Sequence, residues 1–185
     1  MKPRYLPLFI AALMAGATYW FADRMIAPGA LHAAWKGAGV ALLALWAGLN
    51  ARSGDGWRLT AVMAFGAAGD VLLETHGMMV GAAAFLFGHL VAIPLYLRNH
   101  RRPTSGSQRA LAGVLVVATP LLAWLTTRDW GATIYATALG GMAAAAWTSR
   151  FPRYRVGIGA ILFVLSDLLI FARAGGAMAP DMPNL

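Results

Sequence analysis

The chain has 185 residues, a length that fits one domain; 59% are hydrophobic and only 12% charged. Soluble proteins carry about 25% charged residues, so this chain cannot cover a water-facing globule with charge, and its apolar content excludes a disordered one. Mean hydropathy is +0.63, and the composition reads as an integral membrane protein. Fifteen Lys and Arg stand against seven Asp and Glu, giving a net charge of +8. In a soluble protein that excess points to nucleic acid; in a membrane protein it marks cytoplasmic loops, so no nucleic-acid partner is expected. There is no Cys, which removes disulfides and thiolate metal sites.

A helix needs about 20 mostly apolar residues to cross the hydrocarbon core. Seven such segments follow in chain order, over residues 5–22, 31–49, 57–74, 78–97, 107–125, 131–148 and 154–172. Their continuity excludes the two-residue alternation of a barrel. The expected fold is an all-α polytopic transmembrane helix bundle, a single transmembrane domain over 1–185. The first segment reads as a span and not as a signal peptide, because no small-x-small cleavage site follows it.

The basic residues orient the bundle. With loops numbered alternately, the side of the N-terminus carries Lys2, Arg4, Arg52, Arg58, Arg98, Arg101, Arg102, Arg109, Arg150, Arg153 and Arg155, eleven of the fifteen. The other side carries Arg24, Arg128 and Arg173, and Lys36 lies inside a span. This bias places the N-terminus in the cytoplasm, in a bacterial-type plasma membrane. The basic stretch 98–106 is expected to rest on anionic headgroups.

Ionisable groups inside hydrocarbon are costly and mark function by default. Asp70 lies in span 3 and Asp167 in span 7, each as a small residue, the Asp, then aliphatics: Gly69-Asp70-Val71-Leu72-Leu73 and Ser166-Asp167-Leu168-Leu169-Ile170. Lys36 is in span 2, Tyr135 in span 6, and His89 deeper in span 4. Counting from the span ends at ~1.5 Å per residue, the two Asp, Lys36 and Tyr135 share one layer about 7 Å inside the outer boundary. Bland readings stand beside these. Lys36 can snorkel to the headgroups or pair with an Asp, Tyr135 can be an interfacial aromatic, Glu74 a surface residue, and His89 a packing residue. The recurrence of the motif four spans apart raises the possibility of two parallel four-helix halves.

Several chemistries are set aside. His32, His76, His89 and His100 are scattered over different depths with no His-x-x-x-His pair, so no metal site is expected. No Gly-rich nucleotide loop is present. Span 7 has no Lys for a retinal Schiff base, and the Tyr-Asp partner motif of an intramembrane aspartyl protease is missing.

Gly69-Asp70-Val71-Leu72-Leu73, followed by Gly81, Phe85, Gly88 and His89, together with the block Gly159 to Asp167, resembles the YhhN family of lysoplasmalogenase-like membrane proteins. Lys36, Tyr135 and Met142 agree more weakly. The family pattern has eight spans, of which seven are visible and the last is missing. The resemblance implies hydrolysis of the vinyl ether bond of lysoplasmalogen or a related lysolipid, to a fatty aldehyde and a glycerophospho-alcohol. Asp70 and Asp167 would be the catalytic pair, with Lys36, His89, Tyr135, Glu74 and Ser166 in binding or supporting roles. No cofactor is expected; the partners are the lysophospholipid substrate and membrane lipids. The rival reading is a proton-coupled transporter or lipid-binding membrane protein using the same Asp pair.

Overall fold

The computed structural model describes residues 5–176, so Lys2, Arg4 and the tail at 182–185 lie outside the described residues. Seven α-helices follow in order: α1 Leu6–Met25, α2 Ala30–Asn50, α3 Gly54–His76, α4 Met78–Arg98, α5 Gly106–Thr127, α6 Trp130–Thr148 and α7 Ile158–Ala174. A single π-helical turn, Arg153–Gly157, leads into α7. No strand occurs among the described residues. The chain divides into two compact units, Met1–Leu95 and Tyr96–Leu185, so helices α1 to α3 and most of α4 form the first and α5 to α7 the second.

All seven expected segments are helices, and each helix runs past its apolar stretch. Caps explain the ends. Ser53 accepts the Gly56 amide at 3.1 Å and starts α3 earlier than the apolar count does. Ser105 and Gln108 form a reciprocal capping box on α5. Asp129 accepts the Ala132 amide at 2.6 Å at the start of α6. At the other end, α1 continues through Asp23 and Arg24 to Met25, a turn beyond Ala22. The one-residue link between α3 and α4 is Gly77, whose φ of 83° suits a residue without Cβ.

The distribution of side chains is that of a protein solvated by lipid. Alanines dominate the buried apolar set, while Ile10, Leu13, Val117, Leu121, Leu162 and Leu165 are exposed. Lipid gives no hydrophobic reason to bury Leu, so helices associate through close packing of small residues. Five helices (α1, α2, α4, α5 and the α7 segment from Arg153) are long and apolar enough to cross a membrane by length and composition. The other two depart for identifiable reasons. Helix α3 carries Asp55, Arg58, Asp70 and Glu74. Helix α6 is rich in Ala, Gly and Thr, with few large aliphatics, and buries ten residues, from Tyr135 to Thr148.

Glycines set the helix spacing inside each unit. In the first, a Cβ at Gly39 would sit 3.1–3.3 Å from backbone atoms of Gly16 and Ala12, and one at Gly37 would meet Val71 and the Ala67 carbonyl. Helix α2 is thus drawn close to both α1 and α3. The α3–α4 hairpin packs Gly69 on the Phe85 ring, Gly81 on the Leu73 backbone and Gly88 on Phe65. In the second unit Gly140 of α6 lies on the Leu115 carbonyl and Thr119 of α5. There, the loops at either end of α5–α6 are tied by a bridge between His100 and Ser149, with the Arg150 amide donating to the Asn99 carbonyl at 2.7 Å.

These approaches predict a contrast between two identical substitutions. A Cβ at Gly140 would stand 2.5 Å from a backbone oxygen, whereas nothing lies within 4 Å of one at Gly113. Gly140→Ala should therefore destabilise the protein by about 1–3 kcal/mol through overpacking. Gly113→Ala should leave it unchanged or stabilise it by up to about 1 kcal/mol. Thermal unfolding of the detergent-solubilised variants measures both.

Candidate functional site

In the first unit three consecutive helices each contribute two polar residues spaced four apart: Tyr19 and Asp23 on α1, His32 and Lys36 on α2, Asp70 and Glu74 on α3. An i,i+4 spacing puts both members of a pair on one face, and the glycine approaches at 37 and 39 bring those faces together. Lys36 Nζ donates to Glu74 Oε1 at 2.5 Å. The other Glu74 oxygen, Oε2, lies 3.5 Å from His32 Nδ1. On its far side His32 Nε2 is 3.2 Å from Asp23 Oδ1 and 3.3 Å from the Tyr19 hydroxyl. Tyr19 in turn donates to Asp23 Oδ1 at 3.4 Å, and its ring stacks obliquely on the His32 ring. The Lys36 ammonium lies 5.9 Å from the Tyr19 ring centroid.

Asp70 stands one turn before Glu74, partly buried, and both Lys36 and Glu74 act on its charge. It makes no side-chain hydrogen bond among the described residues. Gly69 and Gly81 pack the α3–α4 hairpin, so in the Gly-Asp motif a packing residue precedes a half-buried carboxylate. His89, on α4, is buried with 6% of its surface exposed.

In the second unit the Tyr135 hydroxyl of α6 donates to Asp167 Oδ2 of α7 at 2.6 Å. Both residues are buried, at 7% and 9% exposure. Phe171, one turn after Asp167, sets its ring edge-on to Tyr135 with centroids 5.8 Å apart. Ser166 faces outward on α7, away from this pair.

Tyr135 is no interfacial aromatic: it is the donor to Asp167. Lys36 pairs with Glu74 and not with an Asp, because Glu74 lies a turn nearer the end of α3 and has the longer reach. Glu74 is exposed, as expected of a surface residue, and it also bridges Lys36 and His32. Asp23, which lies just beyond the apolar part of a span, joins the cluster together with Tyr19 and His32. Their signal was the i,i+4 pairing repeated in three successive helices. No group of three His, Cys, Asp or Glu among the described residues has the geometry to hold a metal ion.

An all-helical chain with exposed aliphatics and five helices long and apolar enough to cross a membrane is of the class of integral membrane proteins. Residues 31–178 match the YhhN family, and the chain belongs to it. It is 30% identical over 126 residues to a protein of Mycobacterium bovis named lysoplasmalogenase, and equally to one of Mycobacterium tuberculosis with the same name. The match covers 62% of this chain and 48% of each relative, so the chain spans about half the length of the curated relatives it matches. No solved structure matches it.

Removing the phenol hydroxyl tests the Tyr135–Asp167 bond. A hydrogen bond to a charged acceptor contributes about 1.5–3 kcal/mol, so Tyr135→Phe should lower thermal stability by about that amount. The same substitution at exposed Tyr154 should change it by less than about 0.5 kcal/mol.

Proposed function

We propose that the protein is a membrane-embedded hydrolase acting on the vinyl ether bond of lysoplasmalogen or a related lysolipid, with Asp70 and Asp167 as its catalytic carboxylates. The observation that carries this reading is that the family match spans both aspartates, and that two relatives bear the name lysoplasmalogenase. The orientation read from the basic residues puts both carboxylates toward the outer leaflet. There the vinyl ether of a lysolipid lies just below its headgroup.

The chemistry asks for groups of this kind. A vinyl ether is protonated on carbon, giving an oxocarbenium ion; water adds to form a hemiacetal, which collapses to an aldehyde and the glycerophospho-alcohol. One group must give a proton, another must accept one from water, and negative charge near the cation lowers the barrier. A protonated and an ionised carboxyl supply all three. Tyr135 holds Asp167 in place through its 2.6 Å bond. Asp70, free of side-chain hydrogen bonds among the described residues, has its carboxyl available to substrate. Lys36, engaged with Glu74, offers a positive charge within reach of a lipid phosphate.

The decisive measurement is aldehyde release from lysoplasmalogen by the purified protein in detergent. Asp70→Asn and Asp167→Asn should each lower the rate by at least about 100-fold, with an unchanged elution profile on size exclusion. Full activity in either variant removes that residue from the mechanism. Absence of release, together with uptake into liposomes driven by a pH gradient, would replace the hydrolase with a carrier.

A further inference from the structure

We infer that Arg150, Arg153 and Arg155, at the entry to α7, form a docking site for the phosphate of an anionic phospholipid. The inference concerns the second unit alone and does not rest on the hydrolase reading.

Charge is the first argument. Helices α5 and α7 start, and α6 stops, at one end of this unit, where the His100–Ser149 bridge ties the two loops. Four arginines fall within 98–109 and three within 150–155. The two carboxylates described in this unit lie elsewhere: Asp129 caps the opposite end of α6, and Asp167 accepts from Tyr135 within α7. Arg101 serves the loops themselves, donating to the Ser149 and Phe151 carbonyls at 3.3 and 3.4 Å. The other six make no side-chain hydrogen bond or ion pair among the described residues. Like charges gathered without counter-charge repel one another, and a bound anion relieves that repulsion.

The second argument is that one guanidinium is held ready. Arg153 Cζ lies 5.7 Å from the Trp147 ring centroid and 5.8 Å from that of Tyr154. Gly157 lets the Trp147 ring come in, since a Cβ there would stand 2.8 Å from it and 3.5 Å from Arg153 Cγ. The supporting loops are fixed as well: the Arg101 amide donates to the Thr148 carbonyl at 2.9 Å and the Arg150 amide to that of Asn99 at 2.7 Å. Arg153 Nε is enclosed while the residue as a whole is half-buried, so its two terminal nitrogens are the donors it offers. That planar fork matches two oxygens of a phosphate. A donor already held by rings loses little freedom on binding. Exposed Arg150 and Arg155 flank it in sequence.

The third argument selects a lipid over a free anion. Tyr154, 78% exposed, is followed four and eight residues later by exposed Ile158 and Leu162, and then by exposed Leu165. Helical spacing sets these in one strip. The strip runs from the arginines along α7, the course an acyl chain takes below its phosphate, and a tyrosine at its head suits the membrane interface.

Diacyl lipids have no vinyl ether, so their binding is measured apart from any hydrolysis. Native mass spectrometry of the purified full chain in detergent counts the first lipid bound from equal amounts of phosphatidylglycerol and phosphatidylcholine with the same acyl chains. Phosphatidylcholine carries its phosphate beside a trimethylammonium, which Arg150 and Arg155 repel. Phosphatidylglycerol should therefore be favoured by at least about tenfold, the scale on which one charged contact changes affinity. Arg153→Gln should reduce that ratio to below about threefold. Arg153→Lys should reduce it almost as far, because an ammonium keeps the charge but neither the fork nor the ring contacts. Tyr154→Ala, at an exposed position, should lower it at least about twofold. Arg109→Gln removes the same charge from the same end and should leave the ratio within about twofold of the unmodified protein at physiological salt, where separated exposed charges are screened. Excess inorganic phosphate should leave the ratio standing. Equal binding of the two lipids by the unmodified protein overturns the site. So does an Arg153→Lys protein that matches the unmodified one, or a loss in Arg109→Gln as large as that in Arg153→Gln, either of which reduces this end to a diffuse positive field. Displacement of the lipid by inorganic phosphate overturns its assignment to a lipid.

Discussion

The first unit depends on how closely α2 approaches its neighbours. Lipid does not push helices together through their apolar faces, so contact must come from surfaces shaped to fit. Gly39 against Gly16 and Gly37 against Ala67 provide that fit on both sides of α2. Polar residues one turn away are then brought within bonding range of one another. The ion pair, the buried imidazole and the neighbouring Asp70 are consequences of that spacing. They also reinforce it, because separating the helices would leave charged groups in hydrocarbon without partners.

The second unit solves the same problem differently. Helix α6 is rich in Ala, Gly and Thr and is enclosed for ten of its positions. It carries Tyr135 into that packing, with its hydroxyl donating to Asp167. One carboxylate is thus fixed by a neutral donor in a tight setting, and the other lies in a field of mixed charge from Lys36 and Glu74. Two carboxylates that share a sequence motif thus occupy chemically different surroundings.

Hydropathy made the seven helices legible, since a continuous apolar run leaves a chain in lipid little else to form. It also exposed Asp70 and Asp167, because charge is conspicuous in such runs. The same count hid Asp23. A span measured by its apolar residues stops at Ala22, while the helix continues a turn to Met25. His32 was hidden by comparison with the other histidines instead of with Lys36 four residues later and with the acids on the flanking helices. The choice of Glu74 over an Asp as the partner of Lys36 was likewise beyond a reading by depth, because it turns on side-chain length and a single turn of helix. The packing role of Gly69, Gly81 and Gly88 was present in the family block but mixed there with the residues that carry chemistry.

The π turn at Arg153–Gly157 has a bearing on how this helix tolerates change in chain length. Its extra residue is accommodated in the five positions before α7, where the Ile158 amide reaches back to the Arg153 carbonyl, and α7 is regular from Ile158 onward. Such a turn is an α-helix with one residue added. Losing one residue there would relax the turn to ordinary α geometry without altering the spacing from Ile158 to Asp167. Relatives one residue shorter at this point can therefore keep the same carboxylate on the same helical face. An alignment that spreads the gap into α7 would misplace Asp167 by about 100° around the helix.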